Sequence, residues 1–158
     1  MNTLFETLRK EAVQFEIYLT DEAIGYFSLY LEELKRWNNK INLFRRINDQ
    51  EIIIKDFLDS LTISKYLFPG ASILDIGSGG GFPGIPIKIS RPDLRVVLLE
   101  IRRKKIFFLR HIIRLLGAKD LDVFASSSES LDEFDFVVSR AFGSIPKLVE
   151  AGAPYLKE

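Results

Sequence analysis

The chain has 158 residues, with 22 basic and 22 acidic side chains and so no net charge, and it is 47% apolar and 28% charged; these are the proportions of one soluble globular domain with a substantial core. The absence of cysteine excludes disulfides, thiol nucleophiles and thiolate metal sites, and a single histidine, His111, leaves little for a zinc site or a histidine-based triad. No apolar run approaches the ~20 residues of a membrane span, and the start of the chain carries Glu6 and Glu11 and no apolar signal segment; the expectation is a cytoplasmic, metal-free monomer.

The Thr3-x-x-Glu6 spacing is that of a capping box and predicts a first helix there. Thr20-Asp21-Glu22 opens a longer helix, in which Ile24, Phe27, Leu31 and Leu34 recur at three- and four-residue intervals and mark one buried face. Asp49 is the expected cap of a third helix with Ile52, Ile53, Phe57, Leu61 and Ile63 inward, and Pro69-Gly70 closes that region. Six of the ten glycines and four of the six prolines lie between Pro69 and Asp93, and the hydrophobic period changes there. Ser72–Ile76, Arg95–Leu99, Leu121–Ala125 and Phe134–Val138 read as short strands. Helices are predicted over 82–90 and 102–116, the second ended by Gly117, with a last one running from a Ser144 cap to about Leu156. Strands alternating with helices make an α/β fold, a mostly parallel sheet with helices on both faces. Residues 1–68 are expected to form an N-terminal helical extension packed on a core of residues 69–158, one structural domain overall.

The segment Leu74-Asp75-Ile76-Gly77-Ser78-Gly79-Gly80-Gly81-Phe82-Pro83-Gly84 follows a strand and enters a helix, the position of the ligand crevice in an open α/β sheet. Glycines there allow a sharp turn and close approach of backbone to ligand. The spacing is G-x-G-x-G, at Gly77, Gly79 and Gly81, and Phe82 stands where a dinucleotide fingerprint has its third glycine. A carboxylate at Asp75 suits a cationic ligand, an ammonium or a sulfonium. Glu100, 23 residues after Gly77, ends the second strand, where a carboxylate can accept both hydroxyls of a ribose. Loop, Asp75 and Glu100 together describe S-adenosylmethionine better than a nicotinamide dinucleotide. The competing reading is a glycine-rich turn with no ligand, and Phe82 suits the core and the flank of a cofactor equally.

The zero net charge hides a segregation. Residues 1–36 hold seven acids and four bases, residues 102–119 hold seven bases and no acid, and residues 120–158 hold eight acids and three bases. The basic block is either a solvated helix face or a patch that attracts phosphate backbones.

Four motifs occur in a fixed order: Trp37-Asn38-x-x-x-Asn42-Leu43, Leu58-Asp59-Ser60-Leu61, Asp75-Ile-Gly77-Ser-Gly79-x-Gly81-Phe-Pro-Gly-Ile-Pro86 and Phe134-Asp135-x-Val-x-Ser139-Arg140-Ala141. From about Leu31 to Leu156 the chain resembles the bacterial 16S rRNA guanine-N7 methyltransferases, the RsmG or GidB family. The resemblance implies a Rossmann-like methyltransferase fold with an N-terminal helical extension, S-adenosylmethionine as donor and a guanine of small-subunit ribosomal RNA as acceptor. Carried over by position, it makes Gly77, Phe82, Ser127, Ser128 and Arg140 cofactor contacts, beside Asp75, Gly79, Gly81 and Glu100 from the reading above. The chain departs from the family pattern at Asp56, where His is usual, at Phe44, where Thr is common, and at the Ser127-Ser128 pair. Family members also continue past Leu156 with further strands, so the chain is expected to lack those and to leave its fourth strand at a sheet edge.

The implied chemistry needs little. Guanine N7 offers a free lone pair and no proton, so no general base is required and the protein's task is alignment and exclusion of water. Asn42 and Asp75 are candidates, by position, for offsetting the charge that arises on the base; His111, in the basic helix, lies away from the strand ends. Arg102, Arg103, Lys104 and Lys105 follow Glu100 directly, and Arg45 and Arg46 follow the Trp37–Leu43 motif; these six are the expected RNA contacts. A small-molecule methyltransferase on the same fold, or a catalytically inert fragment that binds cofactor or RNA, are the alternatives, and a dehydrogenase is disfavoured by Phe82.

Overall fold

The computed structural model describes residues 3–45, 48–125 and 131–158. Its N-terminal part is helical. Helix α1 spans Thr3–Ala12, beginning where the Thr3-x-x-Glu6 pattern puts it, and the Thr3 carbonyl accepts from the Thr7 hydroxyl at 3.0 Å. Helix α2 spans Asp21–Asn38 and begins as expected: the Thr20 side chain accepts from the Ala23 N–H at 3.1 Å. Asp21 and Glu22 in its first turn and Lys35 and Arg36 in its last complement the helix dipole. Ile24, Phe27, Tyr30, Leu31 and Leu34 form its buried face.

Helix α3 (Asp49–Ile52) is capped by Asn48, whose side chain accepts from the Glu51 N–H at 2.9 Å, rather than by Asp49. Asn48 has the extended backbone that a cap requires, and Asp49 pairs instead with Lys35 at 2.8 Å. The helix widens without a break into a π-helical segment, Ile53–Leu58, and returns to α geometry in α4 (Asp59–Leu61). Ile52, Ile53, Phe57 and Leu61 are buried as predicted, and Ile63 is half-buried.

The rest is α/β. Strands β1 (Ser72–Ile76), β2 (Arg95–Leu99), β3 (Leu121–Phe124) and β4 (Phe136–Val138) form one parallel sheet in the order β3-β2-β1-β4. Helices α5 (Gly84–Ser90) and α6 (Arg103–Leu116) make the first two crossovers, and Gly117 ends α6 in the left-handed conformation at φ 57°. Helix α7 (Ile145–Gly152) follows β4; Ser144 precedes it with extended backbone but no side-chain cap, and a short 3₁₀ turn, Ala153–Tyr155, succeeds it. β4 is shorter than predicted because its first two residues are otherwise engaged. Phe134 exchanges backbone hydrogen bonds with Tyr155 and Lys157 at 2.7 and 3.0 Å, and the Asp135 carboxylate accepts from the Ser72 N–H and hydroxyl, both at 2.7 Å.

Strand periodicity sorts the core. Ile73 on β1, with Val96 and Leu98 on β2, joins α2, α5 and α6 in one large cluster that also takes in Phe5, Phe27 and Phe57. Leu74, Ile76, Val97 and Leu99 face the other way, toward Phe134, Ala151 and Tyr155. Successive strands run outward from β1 to β3, and the chain then returns to the far side of β1 for β4. Beyond the carboxyl ends of β1 and β4 lies the switch point at which such sheets bind ligands.

Tyr30 ties this end of the sheet to α2. It is fully buried, its ring stacks on Phe57 with centroids 5.4 Å apart, and its hydroxyl donates to the Gly80 carbonyl at 2.5 Å. Tyr30→Phe keeps the ring and leaves a buried loop carbonyl unpaired, so unfolding in urea should show a loss of ~1–3 kcal/mol; an unchanged midpoint would mean that water replaces the phenol.

Candidate active site

β1 ends at Ile76, and the Gly77 and Ser78 N–H groups turn back to the Leu99 carbonyl at 2.8 and 3.2 Å. Gly77 sits at φ +72°, and a Cβ there would stand 3.1 Å from the Phe142 ring. A side chain at this position would be strained and would meet an aromatic ring. The loop then closes on Ser78, whose carbonyl accepts from the Gly81 and Phe82 N–H groups at 2.7 and 2.9 Å.

Two carboxyl groups hold the loop, in different ways. Glu100 accepts the Gly79 N–H on one oxygen and the Arg102 N–H on the other, both at 2.9 Å. It thereby fastens the loop to the end of β2 and places an anion at the N-terminus of α6, while it remains in the wall of a cavity. Asp75 is wholly enclosed. One oxygen accepts the Gly84 N–H at 2.9 Å, and the other has no hydrogen-bond partner. Burial pushes its pKa up to about 8, against the opposing pull of the Gly84 N–H.

The cavity, of about 850 Å³, opens over the carboxyl ends of β1, β2 and β4. Of the expected cofactor residues, Gly77, Gly79, Phe82, Glu100 and Arg140 line it. Asp75 and Gly81 do not. Asp75 lies beneath the loop rather than within reach of a ligand's ammonium, because odd positions of β1 face the α2 and α5 side of the sheet. Gly81 is packed against Ile85 and the Tyr30 hydroxyl. Ser127 and Ser128 lie outside the described residues, as does Arg46. Phe82 is both core and wall: it packs with Tyr30 and Phe57, centroids 5.7 and 6.1 Å away, and lines the cavity.

Among the expected RNA contacts, Arg45, Arg102 and Lys105 line the cavity, and Arg103 and Lys104 lie just outside it, exposed. Asn42 is exposed and is not part of the wall; the adjoining Leu43 and Phe44 are, held there by the Asn38 side chain, which accepts both their N–H groups at 2.7 and 3.1 Å. His111 is remote from the cavity, 2.7 Å from Glu33 and against Trp37. Sequence reasoning missed Phe142 and Asp56 as wall residues. Phe142 had a signal in its place two residues after Arg140; Asp56 was marked only as a departure from the family pattern.

A parallel sheet in the order 3-2-1-4, with a glycine loop and an acid at the end of the second strand beside one cavity, is a methyltransferase domain of the Rossmann-like class. Solved structures agree on the fold. A protein-L-isoaspartate O-methyltransferase superposes with a TM-score of 0.63 at 14% identity, over 98% of this chain and 52% of that one. Coclaurine N-methyltransferase, bound to N-methylheliamine and S-adenosylhomocysteine, gives 0.58 at 14%, over 99% and 55%. The family described as rRNA small subunit methyltransferase G matches residues 24–158, and the chain belongs to it. Relatives carrying the name ribosomal RNA small subunit methyltransferase G include those of Geotalea uraniireducens, 42% identical over 92% of this chain and 69% of that protein, and Geobacter metallireducens, 40% identical over 96% and 71%.

The buried Asp75 makes stability depend on pH. Its folded-state pKa, about 8, exceeds the unfolded value of 3.8, so the folded chain keeps a proton that the unfolded chain releases, and stability falls as pH rises from about 4 to about 8. Asp75→Asn removes this dependence. The melting temperature of the variant relative to the original should climb steadily between pH 5 and 8 and level off above; a difference independent of pH would show that Asp75 is ionised in the fold.

Proposed function

We propose that the chain transfers the methyl group of S-adenosylmethionine to N7 of a guanine in 16S ribosomal RNA of the small subunit, acting as a monomer in the cytoplasm. The observation that carries this reading is the opening of the cavity, at the carboxyl ends of the strands, directly onto a cluster of unpaired cations.

The residues present fit the cofactor. Each Glu100 oxygen spends one lone pair on a backbone N–H and keeps another for a ribose hydroxyl. Gly77 and Gly79 bring bare backbone to the wall. Phe82 and Phe142 offer apolar faces. Arg140 lines the wall with its side chain a quarter exposed, a cation available to a ligand carboxylate. Ser127 and Ser128 remain the proposed contacts along the adenine. The cofactor supplies a methyl group on a positively charged sulfur; the chain aligns the acceptor nitrogen behind it and keeps water out. No proton is removed from N7, so a wall without histidine suffices. Leu43, Phe44 and Arg45, from the proposed helical extension of residues 1–68, complete the wall.

The cations outside the cavity support the RNA half of the reading. Of the bases outside the basic block of residues 102–119, Arg9, Lys35, Arg36, Lys55, Arg91, Arg95, Arg140 and Lys157 each stand within 3.1 Å of a carboxylate, and the described ones without such a partner, Lys10, Lys40, Arg45, Lys65, Lys88 and Lys147, are scattered along the chain. Among the described residues, Arg102, Arg103, Lys104, Lys105, Arg110 and Arg114 have no such partner. Three of them occupy the first turn of α6, which contains no acid, where positive charge opposes the helix dipole.

Small ribosomal subunits and protein-free 16S RNA, incubated with donor carrying a labelled methyl group, should acquire label at a guanine whose N7 methylation then sensitises the strand to reductive cleavage. Label on another atom, or none on either RNA, overturns the reading. Reversing Arg103 and Lys104 to Glu should weaken RNA binding and reduce the salt slope by about one unit per lost phosphate contact, with S-adenosylhomocysteine affinity unchanged. An unaltered slope would place the RNA elsewhere.

A further inference from the structure

We infer that Asp56 is a positioning residue of the cavity, acting through Arg140, and that it makes ligand affinity at the sheet depend on the N-terminal helical segment; the inference rests on the reading above that Arg140 faces the cofactor. Arg140 leaves the carboxyl end of β4 and reaches the π-helical segment Ile53–Leu58, far away in sequence. There its guanidinium meets two acceptors from that segment and one from the first residue of α4. Nη1 lies 2.7 Å from Asp56 Oδ1, Nη2 donates to the Lys55 carbonyl, and Nε stands 3.7 Å from Asp59 Oδ2. Beneath it, the Phe82 ring centre is 5.8 Å from the guanidinium carbon.

These acceptors are not equal. Asp59 is largely exposed and distant, and water screens it. The Asp56 side chain is only 6% exposed and that of Arg140 25%, so their attraction acts where the dielectric is low. An arginine side chain has four rotatable bonds and, released, would sample the cavity; held at one edge by Asp56 and Lys55 and on its face by Phe82, it keeps one plane. Both Asp56 and Arg140 are in the cavity wall, and Nη1, beside Asp56, is itself buried. The pair therefore fixes where the guanidinium stands, and the exposed quarter of the side chain is what the cavity meets. The Ser60 hydroxyl, donating to the Asp56 carbonyl at 2.5 Å, stiffens the turn that carries the acid.

Calorimetric titration of the chain with S-adenosylhomocysteine tests this in a double-mutant cycle. Asp56→Asn should weaken binding about tenfold, Arg140→Gln at least as much, and the double variant no more than Arg140→Gln alone, because Asp56 then has nothing to position. Asp56→Glu, which keeps the charge, should recover part of the loss, an outcome that general loosening of the helix would not produce. Near-ultraviolet circular dichroism at the titration temperature establishes that each variant is folded; should Asp56→Asn alone unfold, the Asp56→Glu and double variants still read the coupling. Unchanged affinity in Asp56→Asn, or a double variant that loses the product of the two single effects, overturns the inference. Failure of the unsubstituted chain to bind S-adenosylhomocysteine removes instead the cofactor reading on which it stands.

Discussion

Asp75 and the first amide of α5 meet in a space that water does not enter, and the loop between them takes its shape from that bond. The carboxyl group is 0% exposed, and its distance to the Gly84 N–H is 2.9 Å. β1 delivers the acid, α5 delivers the amide, and the residues between have to span the gap. Gly84 has no room for a side chain, since a Cβ would stand 2.9 Å from the same carboxyl oxygen. An acid so placed costs least when neutral, which is why burial raises its pKa. The bond also decides which face of the loop is free. With Asp75, Gly81 and Gly84 turned inward, Gly77 and Gly79 are left to form the cavity floor.

The floor alone is not a site; the N-terminal helices supply its back wall. Tyr30 from α2 reaches the Gly80 carbonyl, Phe57 from the π-helical segment packs against both Tyr30 and Phe82, and Arg140 returns from β4 to the same segment. One core cluster runs from Phe5 and Phe27 through Phe57 and Phe82 to Ile85 and Phe108 without a break. An element that reads in sequence as an extension to the sheet thus completes the crevice, and Leu43, Phe44 and Arg45 enter the wall because Asn38 bends the chain back at the end of α2.

How much of this was legible follows from the range of the forces involved. The strands and helices around the loop show in periodicity and in glycine and proline placement, which are local, and Thr20, Gly117 and the burial of Phe27, Leu34, Phe57 and Leu61 are where the pattern puts them. Misassigned details hang on contacts distant in sequence. Asp49 is drawn to Lys35, leaving Asn48 as the cap; Phe134 and Asp135 are drawn to Tyr155 and Ser72, shortening β4. In the site, Glu100 was legible from its position at a strand end. Asp75 was legible as important but not as buried. A period of two along β1 alternates its faces, yet sequence alone does not say which face the loop folds over.

The basic block shows why a zero sum says little about partners. Arg9, Arg91 and Lys157 each stand beside a carboxylate, whereas the consecutive bases at the start of α6 do not. The first turn of α2 carries acids, Asp21 and Glu22, as the helix dipole favours. α6 does the opposite in its first turn, with Arg103, Lys104 and Lys105, and the anion that offsets them is Glu100, which is fixed in the cavity wall. Three consecutive cations thus oppose the helix dipole at the edge of the crevice, a local cost of the kind expected where function rather than folding sets the residue. The charge that the fold leaves uncompensated is the charge that a phosphate backbone would neutralise. It lies beside the carboxyl ends of the strands, so a bound backbone would also bring its bases to the cavity mouth.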